Sequence, residues 1–137
     1  MNSTRSRSFR WGLVIAVLGV LASGCEPIAT YRYVLKNDTS HPLTATYSTF
    51  SFRDSTVVVA AESTRVIYEY QRLGKVKDVQ ERFELEMKAV SVSYKDSVIY
   101  IQEPVQRRFW EIEEKKGAFG GGHASYILFL NAALLGL

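Results

Sequence analysis

The strongest constraint on the fold is a repeated pattern of short alternating segments, each closed by turn-forming residues. Between residues 30 and 131, apolar and polar side chains alternate, and the breaks are rich in Asn, Asp, Ser, Gly and Pro. A period of two is typical of half-buried strands, and such breaks are typical of turns. No long stretch has a helical period, and no internal repeat is visible. The pattern predicts seven or eight strands in an antiparallel β-sandwich.

Two arrangements fit this pattern, an immunoglobulin-like or transthyretin-like sandwich and a partly open barrel. The strands are predicted at 30–36, 43–52, 56–60, 64–71, 98–101, 107–115 and 124–131. Consecutive valines at 57–59 favour a strand that is buried on both faces or crosses between sheets. In the next strand, Val66, Tyr68 and Tyr70 are expected to share one face.

Residues 79–94 leave two interpretations open. Phe83 and Met87 fall on odd positions, whereas Val90 and Val92 fall on even positions, so one continuous strand would change its buried face. A β-bulge near Lys88 would absorb the change. A short helix at 79–88, where Glu, Arg, Leu, Met and Lys favour helix, is the alternative. Further along, residues 95–97 predict a hairpin turn, and Asn131 is expected to cap a helical turn at 132–135.

The first 25 residues form three chemical zones. Residues 1–10 are polar and basic, residues 11–21 are apolar and uncharged, and small residues precede Cys25. This is the layout of a secretory signal peptide. The apolar run is too short for a membrane-spanning helix, which needs about 20 residues.

The segment that ends the signal, Leu21-Ala22-Ser23-Gly24-Cys25, resembles the bacterial lipobox. The resemblance implies a diacylglyceryl group on the Cys25 thiol, cleavage between Gly24 and Cys25, and acylation of the new amino group. Several acyl chains would hold the protein on a membrane firmly, since one chain alone binds marginally. A secreted protein without lipid is the alternative interpretation.

These features define a domain layout and a location. Residues 1–24 are the predicted signal peptide, 25–29 a lipidated tether, and 30–137 a β-sandwich domain. Glu26 follows the cysteine, so the aspartate signal for inner-membrane retention is absent, and no acidic run follows for surface export. We expect a lipid-anchored protein of the bacterial envelope, on the periplasmic side of the outer membrane.

The charge distribution argues against a nucleic-acid partner. The net charge of +3 arises from Arg5, Arg7 and Arg10, and no acidic residue precedes Glu26. From Cys25 onward, cations and anions balance, whereas nucleic-acid binding needs a basic surface on the folded part. The single cysteine also excludes an intramolecular disulfide and a multi-cysteine zinc site.

No motif predicts a catalytic or metal site, and no cofactor is implied. His41 and His123 are the only histidines, and both are expected in solvated loops. Alternation places Glu111 and Glu113 on the solvent face of a strand, opposite Trp110. A small periplasmic enzyme or inhibitor that uses these carboxylates and His123 is the alternative to a non-catalytic domain.

The glycine-rich segment 116–123 predicts a mobile hairpin connection. It lacks the Lys-Ser/Thr pair that a phosphate-binding loop requires after its last glycine. Phe119 at its tip is expected to fold back onto the protein. The alternative is contact with a partner or with lipid, which makes Phe119 and His123 the candidate partner contacts.

The whole chain is similar to small single-domain lipoproteins that are abundant in Bacteroidota. The similarity lies in the lipobox, the first strand Tyr31-Arg32-Tyr33-Val34-Leu35-Lys36, the central Val90–Ser97 segment and a final Tyr-led strand at Tyr126–Asn131. It implies an envelope location and supplies no catalytic residue. We therefore expect a binding or structural domain whose partner is the membrane and an envelope protein or glycan.

Overall fold

Two four-stranded β-sheets make up the fold in the computed structural model, which describes residues 26–51 and 54–137. The strands are β1 (Ile28–Asn37), β2 (Leu43–Thr49), β3 (Ser55–Val59), β4 (Ser63–Leu73), β5 (Met87–Tyr94), β6 (Ser97–Gln102), β7 (Glu111–Lys116) and β8 (Gly122–Leu130). Two short helices are α1 (Gln80–Glu86) and α2 (Ala132–Leu135). The predicted β-sandwich is confirmed. The predicted signal peptide and Cys25 lie outside the described residues.

The first sheet has the order β4-β1-β8-β7 and the second has the order β3-β2-β5-β6. Three hairpins join neighbours, β2 to β3, β5 to β6 and β7 to β8, and all three are antiparallel. One pair departs from the predicted antiparallel arrangement, because β1 and β8 lie parallel, with Ala29 opposite Gly122 and Asn37 opposite Leu130. No turn joins these two strands, so hairpin geometry does not fix their direction.

Both features proposed for residues 79–94 are present. Helix α1 occupies Gln80–Glu86, and β5 begins directly at Met87. Ser48 pairs with Ala89 and Thr49 pairs with Met87, which leaves Lys88 as an extra residue. Phe83 and Met87, four residues apart, are both fully buried. The helix therefore turns one set of apolar residues inward, and the bulge at Lys88 resets the face for Val90 and Val92.

Two expectations about strand faces were wrong. Tyr33 pairs with Tyr68 and Val34 with Val66, so Ile67 is a bulged residue. The bulge turns Ile67 into the core at 7% exposure and leaves Val66 49% exposed, on the face opposite the one predicted. The valine strand β3 is likewise one-sided, because it lies at a sheet edge where Val58 is 57% exposed and only Val59 is fully buried.

The core between the sheets is chemically divided along its length. Toward the start of β1 it is aromatic, with Tyr33 in ring contact with Tyr68, Tyr70, Phe83, Trp110 and Tyr126. Toward the end of β1 it is aliphatic, and its fully buried members include Leu35, Leu43, Ala45, Val59 and Leu130. The two halves therefore rely on different side-chain chemistry for the same purpose, the exclusion of water.

One strand boundary differs from its prediction, and two predicted local features are confirmed. Strand β1 begins at Ile28, two residues before its predicted start. The predicted cap at Asn131 is confirmed, since its side chain accepts a hydrogen bond of 2.8 Å from the Leu134 amide. The predicted hairpin turn at Lys95 and Asp96 is also confirmed, and both residues have positive φ, as a type I′ turn requires.

Candidate functional site

The start of β1 gathers four strand ends into one surface, which we call the Ile28 end. Ile28 pairs with Leu73 at the end of β4, and Ala29 pairs with Gly122 at the start of β8. Lys116 at the end of β7 also pairs with Gly122. The loops 74–79 and 117–121 therefore leave the sheet here, beside residues 26 and 27. Only two residues separate β1 from Cys25.

Backbone contacts join these loops to the residues that precede β1. The Gly74 amide donates to the Pro27 carbonyl at 2.7 Å, and the Val76 amide donates to the Gly120 carbonyl at 3.0 Å. A Cβ atom at Gly121 would lie 2.8 Å from the Ile28 carbonyl oxygen, so only glycine allows this close approach. The predicted hairpin connection is thus present and is packed against the start of β1.

Phe119 does not fold back onto the protein, contrary to expectation. It has a φ of 57° and is 85% exposed, the most exposed large apolar side chain among the described residues. The reason is local packing: Gly120 lies against the Lys75 side chain and Gly121 lies against the Ile28 backbone, so the inner side of the loop is already filled. Ile28 at 53% and Leu73 at 73% exposure lie at the same end.

The charges at the Ile28 end are mostly positive. The charged residues at the last two positions of each strand there, in the loops 74–79 and 117–121, and at residues 26 and 27 are Arg72, Lys75, Lys77, Lys115, Lys116, Glu26 and Asp78. Of these, only Asp78 takes part in the ion pairs found among the described residues, which join Arg32 to Glu69, Lys36 to Asp38 and Arg107 to Asp78.

The structure separates the two histidines. His123 lies on β8 rather than in a loop, half-buried, opposite Thr30 and Lys115. His41 is exposed and follows Asn37, and its ring lies 5.0 Å from that of Tyr94. Seven register positions separate Thr30 from Asn37 along β1, a distance of roughly 23 Å. In the described part of the chain, no cluster of three or more His, Cys, Asp or Glu side chains is placed to hold a metal ion.

The carboxylates of β7 are exposed, as alternation predicted. Glu111 and Glu113 lie on the outer face of the first sheet, while Trp110 is buried and Ile112 packs against the core. Glu113 pairs with Ser125, and His123 lies two residues along β8 on the same face. No hydrogen bond links these three side chains in the residues that the structure describes. Glu111 and Glu113 are open to solvent on this face.

A partly exposed ion pair near the tyrosines was missed in the sequence. The Arg107 guanidinium makes a two-point contact with the Asp78 carboxylate at 2.9 and 2.6 Å, and the Tyr126 hydroxyl donates to the same carboxylate at 3.3 Å. This hydrogen bonding to Asp78 raises the pKa of Arg107. Residues 78, 107 and 126 lie far apart in the chain and in no motif, so no sequence signal joins them.

Burial raises the pKa of the tyrosine hydroxyls in the aromatic half of the core. The effect is largest for Tyr33, whose hydroxyl donates to the Phe83 carbonyl at 3.0 Å, and it extends to Tyr70 and Tyr126. A phenol with a raised pKa stays protonated at neutral pH, so these hydroxyls are hydrogen-bond donors and poor nucleophiles. Every buried side-chain polar atom among the described residues has a partner.

The second sheet carries a shallow cleft of about 240 Å³ on its surface. Its volume is below the range of about 300–1,000 Å³ typical of small-molecule sites. The lining is mostly polar and includes Thr46, Tyr47, Asp54, Lys88 and Glu103. The tyrosines of the core do not line it, apart from the partly buried Tyr47, so it is not the aromatic platform typical of a sugar site.

Comparison with known proteins gives no relative for this chain. No family model, curated protein or solved structure matches it. Among the helices that the structure describes, none has the length and apolar character needed to cross a membrane.

Proposed function

We propose that this chain is a lipid-anchored lipoprotein of the bacterial envelope whose β-sandwich is a non-catalytic binding or structural domain. The proposal rests on the short distance in sequence between the lipobox cysteine and the first strand of the fold. Cys25 is followed by Glu26 and Pro27, and Pro27 already accepts a hydrogen bond from Gly74. An acylated Cys25 would therefore hold the domain directly at the membrane, on the periplasmic side of the outer membrane.

The non-catalytic part of the proposal draws support from the placement of the titratable groups. Asp78, Arg107 and the core tyrosines are engaged with one another. Glu111 and Glu113 are exposed on an open face, where a substrate would not be shielded from water. The partners we propose, besides the membrane, are an envelope protein or glycan.

The anchor is tested on the full chain expressed in a bacterium with a lipoprotein pathway. We expect the intact mass of the mature protein to correspond to residues 25–137 plus a diacylglyceryl group and an N-acyl chain. The protein should partition into the detergent phase, and Cys25→Ala should move it to the aqueous phase. Ser23→Ala is the matched control, since it keeps Cys25 and leaves a small residue at position 23. Retention of residues 1–24, or an unmodified thiol, would contradict the proposal.

The alternative, an enzyme or inhibitor, has one observation in its favour, the shared face of Glu113, His123 and Ser125. It predicts that His123→Ala removes a hydrolytic or inhibitory activity while leaving unfolding by urea unchanged. Thr30→Ala, opposite His123 on β1, is the control on the same face. Equal activity of the two variants and the unmodified protein would reject the alternative.

A further inference from the structure

We propose that the Ile28 end is a membrane-docking surface, which inserts Phe119, Leu73 and Ile28 into the headgroup region of an anionic phospholipid bilayer. This inference rests on the lipid anchor proposed at Cys25 and adds to it an orientation and a lipid preference. The glycine-rich loop would contact the bilayer, so the domain would keep one orientation instead of moving freely on the acylated cysteine.

The first step of the argument is the apolar surface. Ile28 and Leu73 are paired across β1 and β4, and the loop that carries Phe119 packs on Pro27 and Ile28. The three side chains are 53%, 73% and 85% exposed, so the domain itself covers little of them. Exposed apolar groups gathered at one place mark an interaction surface. Aromatic and branched aliphatic side chains are also those that lodge at the boundary between headgroups and acyl chains.

The second step is the length of chain that remains for a tether. Three residue steps lead from Cys25 to Ile28, and they span at most about 10 Å when fully extended. Strand β1 alone, with 10 residues, is roughly 33 Å long. An acylated Cys25 in the bilayer therefore brings the Ile28 end to the lipid surface and keeps the Asn37 end of β1 away from it.

The third step is charge. The cations Arg72, Lys75, Lys77, Lys115 and Lys116 lie at strand-end and loop positions of the same end, together with the anions Glu26 and Asp78, of which Asp78 is already paired with Arg107. Lysine and arginine side chains reach headgroup phosphates while their methylene stems lie along the apolar boundary. Anionic lipids attract basic residues near the surface within about a Debye length, so this arrangement selects an anionic leaflet.

The test places a fluorophore at the loop tip of the full lipoprotein. The variant Phe119→Trp and the matched control Leu137→Trp, at the opposite end, are purified from membranes and reconstituted on vesicles of phosphatidylcholine with phosphatidylglycerol. The only native tryptophan of the mature chain, Trp110, is buried and serves as background in the unmodified protein. Both substituted side chains are exposed, so neither change disturbs the core.

We expect phospholipids brominated near the top of the acyl chains to quench Phe119→Trp about twofold or more, because docked side chains reach about 5–10 Å into the boundary. Its emission should also shift to the blue, whereas Leu137→Trp should show neither effect. Vesicle flotation separates the two proposals. Flotation without quenching at position 119 overturns the docking surface and leaves the anchor intact. Failure of the unmodified protein to float overturns the anchor, and the docking inference with it.

Lipid preference is tested by removing charge at the same end. Lys115→Gln with Lys116→Gln, introduced into Phe119→Trp, should reduce quenching on the anionic vesicles and bring it close to that on phosphatidylcholine alone. Lys95→Gln at the β5–β6 hairpin is the control, because that hairpin lies beside His41 at the other end of the sandwich. Unchanged quenching in the double variant would overturn the preference for anionic lipid.

Discussion

The two ends of the first sheet are closed in opposite ways. At the Ile28 end, glycine loops pack backbone against backbone and leave Phe119 and Leu73 exposed to solvent. At the other end, which we call the Asn37 end, a fully buried asparagine ties the β1–β2 connection together, and helix α2 covers the aliphatic core with Leu135. One end exposes apolar surface, and the other buries polar surface with its partners.

The charges differ in the same direction. At the Asn37 end, the last two positions of the four strands and the loops 38–42 and 60–62 carry Lys36, Asp38, Glu62 and Glu111, and the first two lie 3.7 Å apart as an ion pair. The corresponding set at the Ile28 end has five cations and two anions, and one of the anions, Asp78, is paired with Arg107 outside the set. A domain of balanced overall charge is thus polarised along its strands. The comparison shows buried, hydrogen-bonded polar groups at one end and exposed apolar and basic side chains at the other.

The largest expected effect is at the Asn37 end. The Asn37 side chain donates to the carbonyls of His41, Val59 and Ala60 and accepts from the amide and hydroxyl of Thr39. Asn37→Ala leaves these buried groups without their partner, and each such loss costs about 1–3 kcal/mol. We expect the free energy of unfolding to fall by about 3 kcal/mol in urea titrations.

The control for this variant is Asn131→Ala at the same end. Asn131 is exposed and caps a single helical turn, so its loss should cost about 1 kcal/mol. Equal losses of stability for the two asparagine variants would contradict the larger contribution that we assign to the buried hydrogen bonds of Asn37.

The alternation of side chains was enough to predict the strands, the sandwich and the exposed face of β7. It failed where a bulge changes the pairing count, because the bulge at Ile67 arises from cross-strand pairing with β1 and has no local sequence signal. The ambiguity at 79–88 had the same origin. Helix propensity favoured a helix, and the switch of apolar residues from odd to even positions required a bulge. The fold contains both, because the helix buries Phe83 beside Met87 and the bulge follows at Lys88.

The candidate site was predictable only in part. The basic and apolar character of the N-terminal segment, and the glycine loop with Phe119, are visible in the sequence. The strand order β4-β1-β8-β7 brings Leu73, Lys75 and Lys116 to the same end as this loop. This order includes the parallel pair β1 and β8, which is not joined by a turn and so cannot be predicted from a local turn sequence. The exposure of Phe119 depends on the close packing of Gly120 on the Lys75 side chain and of Gly121 on the Ile28 backbone, which a sequence pattern does not report.

An intermediate effect is expected from alkaline pH, which acts on the aromatic half of the core. Burial raises the pKa of Tyr33 above its ordinary value of 10.0. Above pH 10 the unfolded chain therefore loses a proton that the folded chain retains, so the stability that is present below pH 10 decreases as pH rises. For one such tyrosine the decrease is about 1.4 kcal/mol for each pH unit.

The measurement is a series of urea titrations from pH 8 to about pH 11, beyond the ordinary tyrosine pKa. Tyr33→Phe should lower stability at pH 8, since the Phe83 carbonyl loses its donor, and should flatten the decrease above pH 10. Leu35→Ala, in the aliphatic half of the core, is the control: it removes no titrating group, so it should lower stability at every pH and leave the slope as it is. Equal slopes in all three proteins would remove the distinction between the two halves of the core.

The smallest effect on stability is expected at Phe119, the residue that we propose to insert into the membrane. Phe119→Ser changes a side chain that is 85% exposed, so the fold covers little of it. The free energy of unfolding in detergent should therefore change by no more than about 0.5 kcal/mol, as for other surface substitutions. Leu135→Ser, at a buried position of the Asn37 end, is the matched control and should lower stability by about 2 kcal/mol or more. If Phe119→Ser is as destabilising as Leu135→Ser, Phe119 contributes to the fold, and the contrast between a stabilising end and a contact end no longer holds.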